Sequence, residues 1–160
     1  MLIKGLTDED FVNYKVPSMY IATATCSFKC DKEYGKPICQ NSDLAKSPTH
    51  NISDSVIARR YVTNDITSAI VFGGLEPFDQ FNDMCCLIKM FRYVMSIMDD
   101  IVIYTGYNRE EIEEKVNHLI ENFPNIIIKF GRYIPDQKPH FDPVLGVYLA
   151  SDNQYAERIS

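Results

Sequence analysis

The sequence has no apolar run long enough to cross a bilayer. Its start, MLIKGLTDEDFVNYK, does not read as a secretory leader, since Lys4, Asp8, Glu9 and Asp10 interrupt the apolar positions and no small-residue cleavage site follows. A cytoplasmic protein is the expectation. Positive charge is also short, with 16 Lys and Arg against 22 Asp and Glu and a net charge of −6. Nucleic-acid and membrane-surface binders need a basic footprint, so the charge argues against both as general functions, although a local basic pocket remains open. There is no Walker loop, no G-x-S-x-G and no HExxH. With no repeat, low-complexity tract or linker, residues 1–160 read as a single domain.

Cysteine is what the sequence does have. The stretch CSFKCDKEYGKPICQNSD holds Cys26, Cys30 and Cys39, and Cys85 and Cys86 follow later. A chain of 160 residues with 46% apolar and 24% charged residues can build an ordinary core, so it needs no disulfide staples. Five cysteines cannot all pair internally, and a reducing compartment favours metal or redox chemistry. The spacing Cys-x3-Cys-x8-Cys leaves three readings open. Zinc would need a fourth ligand, and His50 stands beside no second chelating residue. Three thiolates could hold three irons of a 4Fe–4S cluster and leave the fourth iron open. The third reading is buried or inert thiols. Cys85 and Cys86, adjacent on a helix, point about 100° apart and suit core packing better than a shared metal.

Periodicity predicts a strand over Ser18–Thr25, a long loop from Cys26 to His50, and a short helix in SDSVIARRYV. A second strand, TSAIVFGG, stops at Gly73–Gly74. Apolar residues at Phe81, Met84, Ile88, Phe91, Met95 and Met98 mark a long helix. A third strand, Ile101 to Thr105, is followed by a helix with Asn108 as N-cap, Glu111 in a capping box and Pro124 at its end. NIIIKFG is a fourth strand and PVLGVYLAS a fifth. Strands alternating with helices imply an α/β fold with a parallel sheet. His118 reads as solvated or dipole-stabilising, and His140 has no visible partner.

In such folds ligands gather at the C-terminal ends of the strands. The cysteine loop, GGLEP, TGYN and FGRY each leave a strand end, so the four segments are expected on one rim. Taken alone, GGLEP also reads as a turn with a helix-capping acid at Glu76, Gly106 as a strand terminator, and Tyr107 as a half-buried wall.

Several of these segments coincide with a known family. The chain resembles radical SAM (S-adenosylmethionine) proteins, and more narrowly the activating protein of anaerobic ribonucleotide reductase. The resemblance rests on the three cysteines with CQN (Cys39–Asn41), on FGGLEP against F-S-G-G-(E/D)-P, on IVIYTGYNREEIEE, on GRYI (Gly131–Ile134) and on SDNQ (Ser151–Gln154), in order over residues 19 to 154. It implies an abbreviated partial (βα) barrel of mostly parallel strands with helices outside. It implies that Cys26, Cys30 and Cys39 hold a 4Fe–4S cluster whose open iron takes SAM. Gly73, Gly74 and Glu76 would shape the SAM amino site, Ile38 would lie by the adenine, and Thr105, Gly106 and Tyr107 would complete the cofactor site. The implied partners are the large glycyl-radical subunit of that reductase and a one-electron donor such as a flavodoxin or ferredoxin. The polar segment Asn153, Gln154, Tyr155, with no evident core role, is the expected partner-binding surface.

The sequence departs from that family in four places. Six residues are inserted before the third cysteine, Ile38 stands where an aromatic residue is usual, Leu75 replaces the second glycine of G-G-E, and Phe130 follows Lys129 where an acid often precedes G-R-F. Two rival functions fit the same residues: a radical SAM enzyme acting on a small molecule or peptide, and a non-catalytic metal or redox module with zinc at the cysteine loop.

Overall fold

A computed structural model describes residues 1–160. Along the chain run β1 (Leu2–Asp10), β2 (Ser18–Thr23), α1 (Lys29–Tyr34), α2 (Ser42–Lys46), β3 (His50–Asn51), α3 (Asp54–Val62), β4 (Ala69–Gly74), α4 (Phe81–Lys89), β5 (Asp100–Tyr104), α5 (Glu113–Asn122), β6 (Ile126–Phe130), β7 (His140–Asp142), β8 (Val147–Leu149) and β9 (Tyr155–Arg158). Seven strands form one open sheet in the order β3-β1-β2-β4-β5-β6-β9. Its centre, β2-β4-β5-β6, is parallel. Both flanks are antiparallel: β1 on β2, β3 on β1, and β9 on β6.

Alternation along the central strands sorts their side chains onto two faces. Met19, Ile21, Ile70, Phe72, Ile101, Ile103, Ile126 and Ile128 point to one face, where α3, α4 with the turn that follows it, and α5 bury Ile57, Met84, Ile88, Phe91, Val116 and Leu119 against them. Ala69, Val71, Val102 and Ile127 point to the other, under Tyr14, Leu145 and Leu149. All three long helices therefore lie on one face. The opposite face is roofed only by the segment after β1 and by the β7–β8 hairpin.

Several elements differ from the sequence expectation. β1 and β9 were not expected as strands; both are half-exposed, and their apolar alternation is weak. The expected fifth strand is instead the small β7–β8 hairpin, apart from the main sheet. Asp142 Oδ1 accepts the Val144 and Leu145 N–H groups at 2.9 Å each, and Gly146 at φ 73° turns the chain. The long helix becomes α4 plus a π-turn over Met90–Val94, and Ser96 at φ 56° ends the run. The long cysteine loop contains α1 and α2. Cys85 is buried in the core and Cys86 is exposed. His118 packs edge-on against Phe81 and Phe123. No helix is long and apolar enough to cross a membrane.

Candidate metal and cofactor site

The C-terminal ends of the four parallel strands open into one cleft of about 350 Å³. Cys26, Cys30 and Cys39 enter it from the loop after β2, Gly74, Leu75 and Glu76 from the end of β4, and Thr105 and Gly106 from the end of β5. Lys129, Gly131, Arg132 and Tyr133 enter from β6 and beyond, and Tyr148 and Gln154 close the side. A smaller chamber beside it is lined by Cys26, Cys30, Arg132 and Tyr107. Of the expected site residues, Ile38 and Gly73 do not line the main cleft, and Tyr107 faces the chamber instead.

The turn after β4 holds the root of the cysteine loop. Gln80 Oε1 accepts the Ala24 and Thr25 N–H groups at 2.5 and 3.0 Å, and Asp79 Oδ2 accepts Ser27 N–H at 2.6 Å. Tyr107 Oη donates to Asp79 Oδ1 at 2.7 Å and lies 3.3 Å from Ser27 Oγ. Sequence reading did not single out Asp79 or Gln80, because acids and amides just after a Pro at a helix start ordinarily read as caps.

Glu76 is almost fully buried. Its carboxyl accepts from Thr105 Oγ1 at 2.7 Å, Gly106 N at 2.9 Å and Phe78 N at 3.1 Å, so it ties the ends of β4 and β5 together and caps the following turn as well. Burial pushes it up to about 7, against the opposing pull of those three bonds. Gly74, at φ 80°, donates its N–H to Tyr20 Oη at 2.6 Å, and its carbonyl accepts the Asn41 amide. The asparagine two positions past the third cysteine thus meets the glycine pair directly.

Lys129 sits on the cleft floor, 7% exposed. Its ammonium donates to the Gly131 carbonyl at 2.8 Å and makes no ion pair. Burial lowers it to about 8, partly offset by the charge of Glu76. Across the mouth, Arg132 grips Glu111 through two bonds of 2.7 Å, and Lys29 reaches the same carboxylate at 2.9 Å. Arg132 Nε also lies 3.1 Å from Glu33, close enough for charge pairing but not aligned for a hydrogen bond. The hydrogen bonds from Arg132 hold Glu111 down at about 2. This network ties α1, which carries Cys30, to the loops after β5 and β6.

Gln154 is turned inward. Its Oε1 accepts the Ala150 and Ser151 N–H groups at 3.1 Å each, and its Nε2 donates to the Gly131 carbonyl at 3.2 Å. That corrects the expectation that this segment has no core role, since the amide is needed to satisfy buried backbone. Asn153 and Tyr155 are exposed, with Asn153 donating to the Arg132 carbonyl at 3.0 Å and Tyr155 stacking near Phe130.

All three loop cysteines are free and half-buried. Burial pushes the Cys26 thiol up to about 12 and the Cys30 thiol to about 11, the neighbouring Cys39 adding to the latter. Without a metal Cys26 and Cys30 are neutral thiols, and iron would supply the charge that stabilises their thiolates. No three His, Cys, Asp or Glu side chains converge on a point that could hold a single ion. His50, the candidate fourth zinc ligand, is exposed on β3 and does not line the cleft. A 4Fe–4S cluster asks for something different, because each cysteine binds its own iron and the sulfurs need only surround a volume. Three free thiols on one cleft wall, with open space beside them, fit that group.

A family model described as a 4Fe-4S single cluster domain matches residues 17–149. No curated protein and no solved structure matches the chain.

Proposed function

Because the chain belongs to the family of 4Fe-4S single cluster domains, we propose that it is a radical SAM activase, which reductively cleaves SAM and generates a glycyl radical on a partner enzyme. The partner we propose is the large subunit of anaerobic ribonucleoside-triphosphate reductase. The observation that carries this reading is the meeting of Cys26, Cys30 and Cys39 with the ends of β4, β5 and β6 in one cleft. We further propose that the open sheet, with its long helices on one face, is an abbreviated (βα) barrel whose open cleft at the strand ends admits a partner's loop.

Cys26, Cys30 and Cys39 would hold the cluster, leaving one iron for SAM. A bound cluster, reduced by an external one-electron donor such as a flavodoxin or ferredoxin, would supply the electron for reductive cleavage of SAM to methionine, and hydrogen-atom transfer from the partner's glycine would yield 5′-deoxyadenosine and the glycyl radical. The chain's own residues bind and orient. Asn41, Gly74 and Glu76 fix the turn that faces the SAM amino group. Lys129, a buried ammonium held by a carbonyl and in no ion pair, offers a charge to an anionic ligand group. Tyr148 and Leu149 screen the side of the cleft.

Anaerobic reconstitution with iron and sulfide, followed by reduction in the presence of SAM, tests the reading. The expected product is 5′-deoxyadenosine, and mixing with the reductase subunit should give a glycyl-radical EPR doublet. A fully loaded, reduced cluster that releases no 5′-deoxyadenosine refutes the radical SAM assignment. Cleavage without the doublet moves the assignment to a small-molecule or peptide substrate.

A further inference from the structure

The eight residues between Cys30 and Cys39 are folded out as an arm, and its base is tied by one side chain. After Cys30 the chain completes α1, and Gly35, at φ 75°, caps it by donating its N–H to the Asp31 carbonyl at 2.9 Å. The Asp31 side chain then turns to the returning strand, where Oδ1 accepts the Ile38 and Cys39 N–H groups, both at 2.9 Å. Between these points Lys32, Glu33, Tyr34, Gly35, Lys36 and Pro37 are exposed. Only Asp31, Ile38 and the two cysteines turn inward, so the protein path from Cys30 to Cys39 runs through a hydrogen-bonded shortcut, Cys30-Asp31 to Ile38-Cys39.

We infer that Asp31 is a positioning residue that closes this arm, bringing Cys39 beside Cys30 so that the long spacing presents its thiols as a short one would. The inference rests on the cluster reading for its purpose, but the closure itself is a property of the metal-free chain. Removing Lys32 to Pro37 would leave Cys30-Asp31-Ile38-Cys39, a Cys-x2-Cys spacing in which a covalent bond replaces the hydrogen-bonded shortcut. Asp31 is therefore needed only while the arm is present. Its charge is not the working feature. A carboxylate next to Cys30 disfavours the thiolate that a metal needs, and an uncharged amide oxygen can accept the same two N–H groups.

Two measurements on the full chain test this. The first is the rate at which a thiol oxidant forms the Cys30–Cys39 disulfide in metal-free protein, mapped by mass spectrometry. The second is the iron and sulfide retained after anaerobic reconstitution and a chelator challenge. Losing two hydrogen bonds of about 1 kcal/mol each predicts that Asp31→Ala slows disulfide closure by about thirtyfold. The same variant should retain markedly less iron, Asp31→Asn should stay near wild type in both assays, and Asp31→Ala should be silent once Lys32 to Pro37 are deleted. Wild-type closure and iron retention in Asp31→Ala overturn the inference. So does an Asp31→Asn defect as large as that of Asp31→Ala, or an undiminished Asp31→Ala defect in the deletion background. If wild-type protein takes up no cluster, the cluster reading fails, while the disulfide rates still decide whether Asp31 closes the arm.

Discussion

Glu76 should make the metal-free protein lose stability as pH rises through neutrality. Its carboxyl titrates near 4.5 in the unfolded chain and near 7 in the fold, because burial penalises the ionised form. Between those values the native state holds a proton that the unfolded state has released, so raising the pH favours unfolding. At pH 5 the unfolded chain has already gained a little from ionising Glu76; by pH 8 it has gained nearly the full difference. The change across that interval is about 2.5 kcal/mol, taking one pKa unit as about 1.36 kcal/mol. With a urea slope of about 2 kcal/mol/M for a chain of this size, the unfolding midpoint should fall by roughly 1 M between pH 5 and pH 8. To isolate Glu76 from every other pH-dependent contribution, the measured quantity is the wild-type change minus the change in Glu76→Gln. The substituted amide cannot ionise, and its own constant cost cancels because each protein is compared with itself. A difference below about 0.5 kcal/mol would refute the claim that Glu76 is desolvated enough to hold a proton near neutrality.

Two glycines with similar backbones should respond differently to Ala. Gly35 has φ 75° with nothing near its missing Cβ, whereas at Gly74, φ 80°, a Cβ would sit 2.8 Å from Ala22 Cα. Gly35→Ala should cost about 1 kcal/mol of left-handed strain, and Gly74→Ala about 2–4 kcal/mol, read by urea unfolding. Equal costs would mean β2 and β4 separate freely. Arg92, 1% exposed, donates to the carbonyls of Ile97, Asp99, Pro124 and Asn125 at 2.8 to 3.4 Å. Arg92→Ala should cost about 3–5 kcal/mol in the same assay, and a cost under 1 kcal/mol would show that those carbonyls find water. On the proposed reading that the cleft takes SAM, Lys129→Met should weaken SAM binding to the loaded protein by about tenfold or more, measured by calorimetry, with iron content unchanged; unaltered affinity removes Lys129 from the ligand site.

The central sheet was legible because its strands are continuously apolar, as strands covered on both faces are, and the structure sorts Ile70 and Phe72 toward the helices and Ala69 and Val71 away from them. The rim was legible for a related reason, since parallel strands send their C-terminal ends the same way. The flanks were not. β1 carries Lys4, Thr7, Asp8 and Glu9 among few apolar residues, and what makes it a strand is the partner edge of β2 rather than its own pattern. Glu76 shows that a mundane reading and a functional one can both hold. It caps the next turn through Phe78 N–H and, with the same carboxylate, binds Thr105 and Gly106 at the cleft wall.

The cysteine spacing was harder to read because spacing measures contour length, whereas ligation depends on where the chain returns. Eight intervening residues look too many for a compact ligand set only if they run along the site. Here a short helix, a left-handed Gly35 and the Asp31 carboxylate spend six of them on an excursion into solvent. The Arg132–Glu33 contact then leans that arm against the loop after β6. Nothing in the composition of DKEYGKPI distinguishes such an arm from an ordinary exposed loop, because the decisive contact is a single side-chain oxygen reaching two amides seven and eight residues away. An aspartate directly after a ligand cysteine, followed by a glycine and a proline before the next, is the pattern that would expose this device in a sequence. The physical requirement is an acceptor at the base of the arm, a residue free to adopt positive φ at its tip, and few apolar residues between them.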